Sequence, residues 1–236
     1  TLTPVAALLK LEGVSEYLCL LESVTGGENK GRYSAIALLP KKIWKFEAGK
    51  VYFSQNAGKK FSKVKTTDPI SSLRDFVNDN HISDLCGLPS IAAGVFGYMG
   101  YDMIRLFENI PDKNPANIDI PDSVYFLPEI VLLFDNISDK LTIISPLYTS
   151  KNVGAHKAQI RSKENLINKI EKLLRKELKI KPVKKPVGKI KFTAKIDERK
   201  YSKIVDTAKK YIQAGDVFQI VPSRRFVSDF NLPTIS

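Results

Sequence analysis

KKIWKFEAGKVYFS, residues 41–54, decides how this chain folds. Apolar and polar side chains alternate on both sides of Ala48-Gly49, which is the pattern of two antiparallel strands joined by a tight turn. Downstream, PEIVLLFD and KLTIISP flank Asn136-Ile137-Ser138-Asp139 and predict a second hairpin. Upstream, EYLCLLESV (16–24) reads as a buried strand ending in two polar residues. TGGENKGRYS follows as a glycine-rich turn, and SAIALLP as another apolar strand. Asp68-Pro69 opens a helix with Ile70, Leu73 and Phe76 on one side and Asn80 near its end. IAAGVFGYMGYD (91–102) reads as a strand studded with glycines, and MIRLFENIP after it as a short helix stopped by Pro111. Residues 1–150 thus form a mixed α+β region dominated by antiparallel pairs.

Beyond it, Ile160, Leu166, Ile167, Ile170, Leu173, Leu174 and Leu178 recur at helical spacing across 157–180. KIKPVKKPVGK then breaks the pattern with two prolines and a glycine, so residues 151–189 read as a basic amphipathic helix followed by an extended linker. A new unit begins at 190. Its helix has Asp197 as N-cap, Tyr201, Ile204, Val205, Ala208 and Ile212 as apolar stripe, and Gly215 as the residue that ends it. GDVFQIVPSRRF (215–226) then predicts a strand apolar on both faces, covered on both sides, with Gln219 between Phe218 and Ile220.

Composition bounds the function. The chain has 236 residues, 43% apolar and 26% charged, as in a soluble globular protein. No apolar run approaches the ~20 residues that span a bilayer, and no signal peptide is evident, so a cytoplasmic protein without membrane contact is expected. Cys19 and Cys86 make no disulfide framework. The net charge of +12 is concentrated in residues 151–200, where 17 Lys and Arg meet 5 Asp and Glu; the remainder carries 20 of each sign. Basic groups crowded into one helix and one linker, with Phe192 as their single aromatic, fit a solvated face and tether and not a nucleic-acid site. His81 and His156 stand in no metal-ligand or serine–acid context, so no metal site is expected within the chain. The G-x-x-G-x-x-G run at Gly94, Gly97 and Gly100 lacks dinucleotide spacing and implies close backbone packing. Asp102 and Arg105 predict a local ion pair.

Two places carry polar groups where an apolar strand would not place them without cause. Glu22 and Ser23 end the strand at LLES: either the strand surfaces there, or the pair lines a pocket for a small zwitterion, with Arg32, Tyr33 and Ser34 of GRYS returning beside it. Gln219 must find a partner if buried, and that partner is another side chain, a water or a substrate.

LLES, GRYS, GYMGYDMIRLFENIP and AGDVFQIVPSRRF, taken in that order, resemble the N-terminal half of anthranilate synthase component I over essentially the whole length. The resemblance implies an α+β fold in which the antiparallel-sheet N-terminal region packs with the beginning, at 190–236, of a chorismate-utilising α/β sandwich domain. It implies a tryptophan feedback site at Glu22 and Ser23, bordered by Arg32, Tyr33 and Ser34. It also implies that Gln219 faces chorismate as a hydrogen-bonding wall. Related chorismate enzymes that add water carry a lysine base at that position; an amide cannot accept a proton, which suits ammonia as nucleophile. The implied reaction turns chorismate and ammonia into anthranilate and pyruvate, with Mg²⁺ on the substrate carboxylate and a glutamine amidotransferase partner supplying the ammonia. Aminodeoxychorismate synthase component I, of the folate pathway, is the alternative within the same architecture; a stand-alone tryptophan-binding module is the alternative outside it. Because the chain starts at Thr1 and stops at Ser236, the sequence reads as a fragment. The magnesium ligands and catalytic histidine are then expected downstream, and the piece by itself is expected to be inactive.

Overall fold

The computed structural model describes residues 2–23, 31–82, 84–112, 119–148, 153–178 and 190–230. The elements in chain order are α1 (Pro4–Lys10), β1 (Leu18–Leu21), β2 (Tyr33–Glu47), β3 (Lys50–Ser54), β4 (Ser62–Lys63), α2 (Pro69–Asn78), β5 (Phe96–Met99), β6 (Ser123–Asp135), β7 (Lys140–Ile144), α3 (Val153–Arg175), β8 (Thr193–Ala194), α4 (Glu198–Ala214) and β9 (Phe226–Val227). The chain divides into two compact units, Thr1–Leu178 and Lys179–Ser236. The fold is mixed α+β with antiparallel sheets, as expected.

The first unit is built on a seven-stranded sheet in which β4-β3-β2-β6-β5 lie side by side, with β1 also pairing β2 and β7 also pairing β6. The hairpin at Ala48-Gly49 forms as read. Glu47 pairs with Lys50, and the two central residues take φ of 48° and 72°, the left-handed pair that such a turn requires. The two strands read as SAIALLP and KKIWKFE are one strand, β2, bent by a bulge between Pro40 and Lys42. Leu39 sits there at φ 58° with its amide donating to Ser15 Oγ at 3.0 Å. A bulge inserts one residue and turns the strand without ending it.

Alternation along β2 buries both of its faces. Ile36 and Leu38 join Ile130, Leu132, Phe134, Ala7, Leu11, Ile170 and Leu174 in one cluster, while Ala35 and Ala37 join Ile43, Phe96, Phe126 and Val131 in another. Trp44, Phe46, Val51, Phe76, Met103 and Leu127 form a third, which seats α2. Asp68 caps α2 by accepting from the amides of Ile70 (3.0 Å) and Ser71 (3.1 Å). The sequence groups α3 with the linker as a separate stretch, 151–189; in the structure the division falls after the helix, because Ile170 and Leu174 are buried against α1 and the sheet. Lys10 Nζ donates to Leu174 O at 2.7 Å and closes that end of the helix. α1 itself is opened by Thr3, whose hydroxyl accepts from Ala6, and by Pro4.

The glycine-rich stretch behaves as packing. Strand pairing is confined to Phe96–Met99, and Tyr101–Leu106 forms a 3₁₀ turn where a short helix was read. A Cβ on Gly97 would lie 1.9 Å from Val124 O and 2.8 Å from Tyr125 Cα, backbone atoms held in the neighbouring strand. Arg105 pairs with Asp102, as expected, and also reaches Asp112 at 3.5 Å. At the other end of the sheet, Arg32 Nη2 meets Asp135 Oδ2 at 3.0 Å; Asp135 Oδ1 also accepts from the amides of Ile137 (3.0 Å) and Ser138 (3.2 Å). The Arg32 guanidinium, joined by those amides, holds the Asp135 carboxyl well below the usual carboxylate range.

The second unit is slighter. Asp197 caps α4 by accepting from Lys200 N at 2.7 Å, and Gly215 ends it at φ 81°. β8 and β9 make a two-stranded ladder. The strand read at 215–226 is absent except for Phe226 within β9: residues 216–225 pair with no other strand among the described residues. An alternating apolar pattern states what a segment is able to bury, whereas a strand needs a neighbour to bond, and among the described residues the 216–225 segment meets one only at Arg225, whose carbonyl accepts from Lys195 N at 2.9 Å. Phe218 is 96% exposed and Val221 77%, so the expected cover on both faces is not found among the described residues.

Three outcomes test this fold. Gly97→Ala should destabilise the first unit by about 2–4 kcal/mol, since the obstructing atoms are backbone. Gly49→Ala, with open space but left-handed φ, should cost about 1–2 kcal/mol. Ile170→Ala should cost about 2–5 kcal/mol if α3 belongs to the core of that unit. Urea unfolding followed by the emission of Trp44, the chain's single tryptophan and 1% exposed, measures all three. Acid supplies a second kind of check. Asp135 has a folded pKa below its unfolded one, so its contribution is complete above about pH 5 and drains away as the pH falls below about 4. Asp135→Asn should lack that part of the acid limb in the same measurement.

Candidate functional site

Antiparallel pairing brings LLES and GRYS together. Leu21 pairs with Ala35, so the residues that follow β1 and precede β2 leave the sheet side by side. Glu22 and Ser23 are exposed there, Arg32 is exposed, Tyr33 is half-buried and Ser34 is buried. Ser23 lies hard against Gly31: a Cβ on Gly31 would fall 1.6 Å from Ser23 Oγ and 2.2 Å from Ser23 Cβ. Only glycine fits at 31 with the serine in place. The five residues nominated from the sequence are therefore neighbours, although residues 24–30 between them lie outside the described set.

The turn after β6 holds this place still. Asn136 N donates to Arg32 O at 2.7 Å, and Asn136 Nδ2 donates to Gly31 O at 2.9 Å and to Ser34 Oγ at 3.4 Å. Arg32 spends its edge on Asp135, with Nε 3.3 Å and Nη2 3.0 Å from Oδ2, and lays its face 4.8 Å from the centre of the Tyr33 ring. The sequence predicts Asn136 as a turn residue and marks neither Asp135 nor Gly31 as part of this place. Their signal is a partner about a hundred positions away in the chain, which spacing along the sequence does not carry. Beside the turn, Leu2, Thr3 and Pro4 border a cleft of about 240 Å³ with Phe134, Asp135, Asn136 and Lys140.

An exposed carboxylate and an exposed hydroxyl on a fixed backbone are suited to receive an ammonium group and to hydrogen-bond a small polar ligand. Ser34, already bonded to Asn136 and buried, supports this place from beneath.

Gln219 stands in the second unit and is exposed, not enclosed between apolar strands as its pattern predicts. Its neighbours Ile220, Val221 and Pro222 wall a groove of about 450 Å³ with Ile204, Ala208 and Tyr211 of α4, and Gln219 is outside that lining. The segment is held from its far side. Tyr201 donates its hydroxyl proton to Pro222 O at 3.3 Å, and Arg224 Nε donates to Ile196 O at 2.9 Å while its guanidinium covers Phe226. Arg224 is thus occupied with backbone and ring. Among the described residues no three His, Cys, Asp or Glu side chains gather to hold a metal ion, so the magnesium implied by the resemblance has no donor set there. Nor, among them, is any helix long and apolar enough to cross a membrane.

Known proteins resemble this chain along nearly its whole length. The chain is 34% identical over 98% of its length to anthranilate synthase component 1 of Cereibacter sphaeroides, covering 47% of that protein. It is 32% identical over 97% of its length to the protein of that name from Acinetobacter calcoaceticus, covering 45% of it. The chain spans about half the length of these relatives. A crystal structure of anthranilate synthase component I from Streptococcus pneumoniae superposes with a TM-score of 0.68 and 25% identity over 99% of this chain and 48% of that one. Residues 25–236 match the chorismate binding enzyme family, and the chain belongs to it.

Proposed function

We propose that this chain is the regulatory half of an enzyme that turns chorismate and ammonia into anthranilate and pyruvate, and that L-tryptophan, the end product of that route, binds at Glu22 and Ser23. The observation that carries the reading is the pairing of Leu21 with Ala35, which sets Glu22 and Ser23 beside Arg32, Tyr33 and Ser34 in a chain matched along 98% of its length by anthranilate synthase component 1. Glu22 would face the ammonium group and Ser23 would hydrogen-bond the amino acid. A feedback ligand acts by favouring one arrangement of the protein over another.

In the second unit, Gln219 follows the αL residue Gly215 closely and would border chorismate as a hydrogen-bonding wall. A primary amide donates and accepts without titrating, so it orients ammonia or the ring and leaves the nucleophile's protons alone. The divalent ion would be held by carboxylates outside the described residues, and ammonia would come from a glutamine amidotransferase subunit.

The test is made on the whole gene product of which this chain is a part. With chorismate, magnesium and ammonium, it should release a compound with anthranilate fluorescence. A product aminated at C4 of the ring in place of C2, with its enolpyruvyl group still attached, would overturn the reading. Ser23→Ala should raise the tryptophan concentration for half inhibition at least ten-fold and leave kcat within two-fold. Gln219→Ala should do the reverse, lowering kcat at least ten-fold and leaving inhibition unchanged.

A further inference from the structure

The nominated ligand residues are not equivalent in the structure. Glu22 and Ser23 have exposed side chains, while Arg32 is engaged along one edge by Asp135 and across one face by Tyr33. An incoming carboxylate would have to share that guanidinium with a carboxylate already bonded through two nitrogens. Asp135 is in turn fixed by the amides of Ile137 and Ser138, and its side chain is 16% exposed, so it is not poised to swing away. Asn136 adds bonds to the carbonyls of Gly31 and Arg32 and to the hydroxyl of Ser34. These contacts converge on residues 31–34, and Gly31 is the surface against which Ser23 rests.

We infer that Asp135 and Asn136 are positioning residues for the Glu22–Ser23 site, and that Arg32 belongs to their clasp and is not a donor to the ligand. The inference rests on the ligand reading above. The β6–β7 turn fixes residues 31–34, Gly31 fixes Ser23, and the strand end presents its carboxylate and hydroxyl in one geometry. The carboxylate of an amino-acid ligand then finds its donors elsewhere than Arg32.

Calorimetric titration with L-tryptophan separates a strut from a ligand donor. Asn136→Ala touches neither the charge of Arg32 nor Glu22 and Ser23, yet it should weaken tryptophan binding about ten-fold, as should Asp135→Ala and Arg32→Ala. The double variant Arg32→Ala with Asp135→Ala should bind no more weakly than the worse single one, because both remove the same strut. If Arg32→Ala abolishes binding while Asn136→Ala and Asp135→Ala leave Kd within two-fold, Arg32 meets the ligand and the inference falls. Hydrogen exchange on the same variants gives an answer that does not need the ligand. Amides of residues 18–23 should exchange at least ten-fold faster in Asn136→Ala and Asp135→Ala, with those of α2 unchanged; equal rates at 18–23 would overturn the clasp. If the unaltered protein binds no tryptophan but the exchange result holds, the ligand reading fails and the positioning role stands.

Discussion

Backbone hydrogen bonds running from the Tyr33–Asp135 pair to the Phe46–Ser123 pair join β2 and β6 along nearly their whole length; β1, β3, β5 and β7 each attach to one or other of them, and β4 joins through β3. Both strands are buried on both faces, which takes a long apolar run with its backbone groups satisfied throughout. The bulge at Pro40–Lys42 is the one interruption. It bends the ladder so that one end meets α1 and α3 while the other end receives α2. Because register is continuous on each side of the bulge, the identity of what faces Arg32 is settled by pairing that begins more than ten residues away.

That dependence separates what could be read from the sequence from what could not. The Ala48-Gly49 turn, the Asp68-Pro69 and Asp197 helix starts and the Gly215 stop are local: each rests on a conformational preference within three or four residues. The neighbourhood of LLES and GRYS was legible too, since a strand, a glycine turn and a second strand can only return side by side. The Arg32–Asp135 contact was not, because it requires the β2–β6 register, and the register passes through a bulge where Leu39 takes a left-handed conformation that nothing in a leucine announces. The single long β2 was read as two strands for the same reason.

Gln219 shows another limit. Its surroundings in the sequence state that Phe218, Ile220 and Val221 want cover, and that statement holds for the structure, where Phe218 and Val221 lie open. What pattern cannot supply is the covering surface itself. Burial is a relation between two parts, and the periodicity of one part describes only its own half of the bargain. The enclosure of Gln219 was therefore not legible.

The second unit carries this to its end. Ala208 is its one buried residue among those described, whereas Tyr211, Ile212, Phe218 and Phe230 all face outward. The first unit, by contrast, closes three apolar clusters from its own residues. The sheet of the first unit therefore has within its own residues what it needs to collapse. Among the described residues, α4 leaves Ile204, Tyr211 and Ile212 at least 40% exposed, so the second unit draws far less of its stability from burial.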